Sequence, residues 1–111
     1  MIETETLSNA LVIRFTEARF DAANAPSFRE RTAALVAEGA TRILLDLTAL
    51  KTIDSSGLGA IIGLLKRVGM TGELKLFGLS SSVDKVVRLT RMDRVLSIHA
   101  DRAAALSALS D

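Results

Sequence analysis

The sequence predicts an α/β domain, a mixed β-sheet of four to five strands packed with about four α-helices. Three observations carry this reading. Strand-like and helix-like stretches alternate as β-β-α-β-α-β-α-β-α along the 111 residues, an order that favours parallel strands joined by crossover helices. The run Ile43-Leu44-Leu45-Asp46-Leu47 is nearly continuous in apolar residues, as in a strand buried on both faces. Soon after it, Leu58, Ile61, Ile62 and Leu65 recur at i, i+3, i+4 and i+7, the core face of an amphipathic helix.

Taken in order, a short strand near Glu3–Ser8 is placed to pair across Ser8-Asn9 with Leu11-Val12-Ile13-Arg14-Phe15, whose composition suits a strand. This opening hairpin makes the sheet mixed. Asn24 with Pro26 marks a helix start, because proline is tolerated in a first turn. Phe28, Leu35 and Val36 supply that helix with an apolar face, and Gly39 suits its end. The helix from Ser56 to Val68 closes on Lys66, Arg67 and Gly69. Glu73–Phe77 alternates as a strand. Ser80-Ser81-Ser82 offers a cap for a helix reaching about Thr90, with Val83, Val86 and Val87 inward. A short strand near Val95–Ile98 follows. Asp101 then caps a last helix carrying Ala103, Leu106 and Leu109. Asp46 interrupts an apolar strand, and the pattern alone does not place it.

No linker, repeat or low-complexity stretch divides residues 1–111, which read as one domain. Aromatic residues are 4% and all phenylalanine, so the core is expected to be aliphatic. Fourteen basic and 13 acidic residues leave a net charge of +1, which gives no general attraction to nucleic acid or an anionic membrane. Nor is there an aromatic platform on which bases could stack. The absence of cysteine excludes disulfides, thiol chemistry and cysteine-bound metals. The N-terminus lacks the apolar centre of a signal peptide, and no stretch of about 18 apolar residues is present. The expectation is a soluble cytoplasmic protein.

The hexapeptide Asp54-Ser55-Ser56-Gly57-Leu58-Gly59 concentrates the chemistry. It places two hydroxyls at a strand-to-helix turn. There, free N–H groups and the positive end of the helix dipole tolerate an anion such as a phosphate. The plainer reading is that Ser55 or Ser56 caps the helix. The two are compatible, with one serine capping and the other modified. Gly57, Gly59 and Gly63 in one helix suggest close approach of another backbone, either a neighbouring strand or a docked partner. They do not form a nucleotide fingerprint, because the third glycine is one residue late for GxGxxG and no GK[ST] follows. Asp21, Asn24 and Asp54 read as caps or turn formers, or as parts of a recognition surface. Lys85, Arg88, Arg91 and Arg94 recur every three residues, as a solvated face or a stripe for an acidic partner. His99 is the only histidine. GxSxG is absent and no residues have metal-ligand spacing, so no catalytic residue, metal or cofactor is expected.

DSSGLG after a strand resembles the STAS domains of bacterial anti-sigma-factor antagonists. The similarity continues upstream in Phe20-Asp21-Ala22-Ala23-Asn24-Ala25-Pro26 and downstream in Gly72-Glu73-Leu74-Lys75-Leu76-Phe77. Arg19 stands where that family often has glycine. The resemblance spans roughly Leu11 to Leu109 and implies a STAS-like fold and a partner-switching phosphoprotein that is not an enzyme. It implies that Ser56, the serine before the glycine, is phosphorylated rather than Ser55. The partners implied are an anti-sigma factor with serine kinase activity, bound by the unmodified protein so that a sigma factor is freed, and a metal-dependent serine phosphatase. The expected partner surface comprises Asp21, Asn24, Asp54, Ser55, Gly57, Leu58, Gly59, Ala60, Gly63 and Leu64, with Leu64 as an exposed apolar anchor. Other outputs share the fold: a STAS module of a stressosome, a secretion or signalling regulator, or a lipid-transport complex. A hypothesis from a different class is a small-ligand or nucleotide-binding domain.

Overall fold

In the computed structural model, which describes residues 1–110, the chain begins with strands β1 (Ile2–Thr6), β2 (Leu11–Phe15) and β3 (Arg19–Phe20). Helix α1 (Ala25–Ala37), β4 (Arg42–Asp46), β5 (Thr52–Ile53) and α2 (Ser55–Val68) follow. The chain ends with β6 (Glu73–Phe77), α3 (Ser81–Leu89), a 3-10 turn at Met92–Arg94, β7 (Ser97–His99) and α4 (Arg102–Ser107). The main sheet has five strands in the order β1-β2-β4-β6-β7. The opening hairpin is antiparallel and every other pairing in this sheet is parallel, so the sheet is mixed as expected. Strands β3 and β5 form a separate parallel pair of two residues each. No sequence pattern predicts this pair, because two residues carry no periodicity.

Alternation along the strands gives the sheet two different faces. Ile13 and Phe15, Ile43 and Leu45, and Leu74 and Leu76 point to one face, where Phe28, Ile61, Leu64, Val83 and Val87 of the first three helices cover them. Phe15, Phe20 and Phe28 are fully buried there, with ring centroids 4.8 to 5.3 Å apart. The core is aliphatic around this single aromatic knot. On the opposite face Val12, Leu44 and Phe77 pack under Ala105 and Leu109 beside the short α4. Ion pairs flank that patch: Arg14 with Glu3, Arg102 with Glu5, and Arg42 with Glu73. Asp46 ends β4 on this face. Its Oδ1 accepts from the Thr48 N–H at 2.9 Å and the Thr48 hydroxyl at 2.7 Å, so it braces the turn.

Element ends differ from the sequence expectations where local chemistry intervenes. The 3-10 turn takes up Met92–Arg94, so the last strand starts at Ser97 rather than near Val95. Gly39 lies at φ 111° and stops α1 as expected. In α1 Phe28 is buried together with Ala25 and Thr32, whereas Leu35 and Val36 are half-buried. In α4 the inward residue is Ala105, and Ala103 is exposed. Ser80 and Asp101 cap α3 and α4 through bonds from Val83 N–H and Ala104 N–H.

Helix α2 requires the largest correction. Its buried residues are Gly57, Leu58, Ala60, Ile61, Leu64 and Val68, while Ile62 and Leu65 are only half-buried. Leu64, expected as an exposed anchor, is 1% exposed. The helix packs against both the sheet and α1. Its buried arc is therefore turned toward α1 relative to the one expected from the Leu58–Leu65 spacing.

Candidate functional site: the Asp54–Ser56 turn and the loop beside it

The chain leaves β5 in an extended conformation at Asp54, φ −111° and ψ −174°, and enters α2 at Ser55. Non-helical backbone is what an N-cap requires. The Asp54 carboxylate accepts the Gly57 N–H at 3.0 Å and takes that role. Of the cap candidates in the sequence, Asp54 therefore fills the role, and Ser55 and Ser56 do not. Both serines are already inside the helix, and the carboxylate also suits the positive end of the dipole. Ser55 is exposed and Ser56 half-buried. Among the described residues, neither hydroxyl takes part in a hydrogen bond.

The preceding loop is folded by its own side chains. Asn24 Oδ1 accepts the Asp21 N–H at 2.9 Å. Asn24 Nδ2 donates to the Arg19 carbonyl at 2.7 Å and to Glu17 Oε2 at 3.1 Å. Asp21 Oδ1 accepts the Ala23 N–H at 3.0 Å. Asn24 stands at the N-cap position of α1 without a side-chain cap bond, because its amide ties the loop instead. Both residues are thus turn formers, and each remains half-buried at the surface. Arg19 lies 3.8 Å from Asp21.

Loop and serine turn meet through Phe20. Its carbonyl accepts the Asp54 N–H at 3.1 Å, and β3 pairs with β5 so that Phe20 lies opposite Ile53. A Cβ on Gly57 would fall 2.5 Å from that carbonyl oxygen. The close backbone approach read from the glycines is real at Gly57, and its source is this strand. At Gly59 and Gly63 the situation differs. There the only atoms near an added Cβ belong to the Arg29 guanidinium of α1, at 3.4 and 3.1 Å.

Of the expected surface residues, Asp21, Asn24, Asp54, Ser55, Ser56, Gly59 and Gly63 retain exposure at this end of the molecule. Gly57, Leu58, Ala60 and Leu64 are buried and serve the packing of α2. Arg29 was not anticipated. It follows Phe28 on a different helix, and no spacing in the sequence links it to Ser56. In the basic stripe Lys85, Arg88, Arg91 and Arg94 are all exposed, and Arg88 pairs with Asp84 at 3.0 Å and Asp93 at 3.6 Å. His99 bonds Ser97 through Nε2 at 2.8 Å on the last strand of the sheet and has no part in the serine turn.

Comparison with known proteins gives concordant matches. Residues 1–105 match the family model for the STAS domain. An anti-sigma-B factor antagonist of Listeria monocytogenes is 29% identical over 85 residues, covering 76% of this chain and 75% of that protein. An anti-sigma factor antagonist homologue of Thermotoga neapolitana is 35% identical over 63 residues, 56% of this chain and 56% of that protein's length. The crystal structure of an anti-sigma factor antagonist from Mycobacterium paratuberculosis superposes with a TM-score of 0.91 at 20% identity, covering 100% of this chain and 94% of that one. Phosphorylated SpoIIAA of Bacillus superposes with a TM-score of 0.73 at 20% identity, covering 98% of this chain and 100% of that one. At such identities the structures share the fold.

Proposed function

The chain belongs to the STAS domain family, and from that premise we infer that it is an anti-sigma factor antagonist switched by phosphorylation of Ser56. One observation carries the serine turn: Asp54 takes the cap of α2, which leaves both the Ser55 and Ser56 hydroxyls uncommitted, and the position of Ser56 directly before Gly57, as in the STAS motif, selects between them. In this reading the unmodified protein, a single cytoplasmic domain, binds an anti-sigma factor that is also a serine kinase, and a sigma factor is freed. The kinase transfers the γ-phosphoryl group of ATP to Ser56 Oγ, releasing ADP and the hydroxyl proton. A metal-dependent phosphatase returns the serine with water as the acceptor. ATP and metal belong to those enzymes, and this chain supplies the hydroxyl and the surface around it.

The charge change is sufficient for release. A phosphoserine adds about −1.5 to −2 charge at pH 7, so the net charge moves from +1 to about −1. Burial of that charge in an interface without a partner costs several kcal/mol. A 100-fold loss of affinity needs only about 3 kcal/mol. The fold need not change, because a phosphate at the start of a helix is electrostatically tolerated.

The test is phosphorylation by the cognate kinase followed by mass spectrometry, with titration calorimetry on two variants. Label is expected on Ser56 and absent from Ser56→Ala. Ser56→Ala should bind the kinase like wild type, and Ser56→Asp more weakly. Label on Ser55 alone, or equal affinities for the two variants, would overturn the reading.

A further inference from the structure

Glycine is the poorest helix former after proline, and α2 contains three. Gly57 is required by the Phe20 carbonyl. Gly59 and Gly63 clear no backbone. What occupies the space beside them is the Arg29 guanidinium, with Nη2 3.4 Å and Nη1 3.1 Å from where their Cβ atoms would stand. Arg29 therefore reaches from α1 and lies across the glycine positions of α2.

Ser56 heads the same stripe. Residues three and four apart on a helix are neighbours, about 5–6 Å between Cβ positions. Ser56 is thus one turn above Gly59, where Arg29 Nη2 rests. Arg67 continues the stripe one turn below Gly63 and lines the same narrow α1–α2 groove as Arg29 and Thr32. Neither arginine forms an ion pair among the described residues. Of the carboxylates at this end, Asp54 accepts the Gly57 N–H, Asp21 the Ala23 N–H with Arg19 nearby, and Glu17 the Asn24 amide, and none of them pairs with Arg29 or Arg67. Two unpaired cations thus border the face on which Ser56 stands.

We propose that Arg29 receives the phosphate of Ser56 within the same molecule. The inference rests on the phosphorylation reading above and adds to it a receiver and a consequence. A guanidinium presents donors in a planar fork that matches a phosphate, and such charge-assisted bonds are the strong ones. The side chain crosses to Ser56's face because the two glycines leave it room. Phosphorylation then does more than add a repelling charge. It draws the Arg29 guanidinium and the modified serine together at the head of the α1–α2 groove and so changes both the shape and the charge of the surface there.

The test uses protein in which phosphoserine is installed at position 56 during translation, so that no kinase is involved. The second ionisation of the phosphate, ordinarily near pH 6, is followed by ³¹P NMR titration. Arg29→Ala and Arg29→Gln, the latter keeping the stem across the glycines, are each expected to raise it by about half a unit or more relative to wild type. Arg29→Lys should fall between. Circular dichroism on the unmodified variants establishes that each is folded, and either neutral variant suffices. An unchanged titration in a folded neutral variant would overturn the proposal. So would a rise of equal size in Arg67→Ala, which would assign the effect to the general field of the surface. A kinase that leaves Ser56 unlabelled would sink the proposed function without touching this measurement.

Discussion

The carbonyl oxygen of Phe20 stands 2.5 Å from the position a Cβ on Gly57 would occupy, and the same oxygen accepts the Asp54 N–H at 3.1 Å. The strand that carries the Asp21 loop and the helix that starts with the serines are thus joined at one atom. A side chain at position 57 meets backbone and the buried Phe20 ring, neither of which can move aside by changing rotamer. Gly57→Ala gains about 0.5–1 kcal/mol of helix propensity but incurs about 1–3 kcal/mol of overpacking. The variant is expected to melt several degrees below wild type by calorimetry. A melting point at or above wild type would contradict the contact.

That relationship also marks where sequence reading stops. Strand β4 and helix α2 were legible because each is long enough to show its period and each is bounded by recognisable ends. The β3–β5 pair that positions the site is two residues on each side, too short for any period. DSSGLG marks the strand-to-helix turn that joins β5 to α2, yet which of Asp54, Ser55 and Ser56 caps the helix depended on the backbone angles of Asp54. The error at Leu64 has a packing cause. A helix covered from one side shows one apolar stripe, but α2 is covered by the sheet and by α1, so Ala60 and Leu64 are buried as well. Arg29 was invisible because only the packing of α1 on α2 brings it to Gly59 and Gly63.

Asp54 and Ser55 should separate cap from surface. Asp54→Ala removes the acceptor of the Gly57 N–H, a loss of about 1 kcal/mol for a typical N-cap. It should lower the melting temperature by several degrees and speed hydrogen exchange at the Gly57 amide. Asp54→Ser should restore most of both. Ser55→Ala, exposed and outside the cap, should leave both unchanged. Equal losses in Asp54→Ala and Ser55→Ala would mean that the cap is shared.

Glu73 ties β6 to the end of the chain. Its carboxylate accepts the Ser110 N–H at 3.1 Å and the Ser110 hydroxyl at 3.2 Å, with Arg42 at 3.5 Å and Lys75 at 3.9 Å. The Ser110 N–H above all, with those cations, holds its pKa below the usual carboxylate value, against the effect of burial. A depressed carboxylate contributes stability above its unfolded pKa and loses it as pH falls through the folded one. Wild type should therefore exceed Glu73→Gln in stability at neutral pH, and the gap should close below about pH 4. Chemical unfolding at several pH values measures this. A gap that persists unchanged into acid would show that the ionised form is not what matters.

Arg91 has a left-handed backbone, φ 63° and ψ 16°, and is the only non-glycine residue with positive φ among the described residues. It follows the C-cap of α3, Thr90, and donates its N–H to the Arg88 carbonyl at 3.1 Å. This is where helices commonly end on glycine, because a Cβ in that conformation costs roughly 1–2 kcal/mol. Arg91→Gly relieves that cost and enlarges the unfolded ensemble by about 0.4–1 kcal/mol, which leaves a net gain. It also removes one cation from the Lys85–Arg94 face. The variant should melt a few degrees above wild type. Arg94→Gly is the matched control, since Arg94 loses a side chain from the same face at a position without positive φ, and it should melt below wild type. If Arg91→Gly melts no higher than Arg94→Gly, the left-handed turn carries no strain that glycine can relieve.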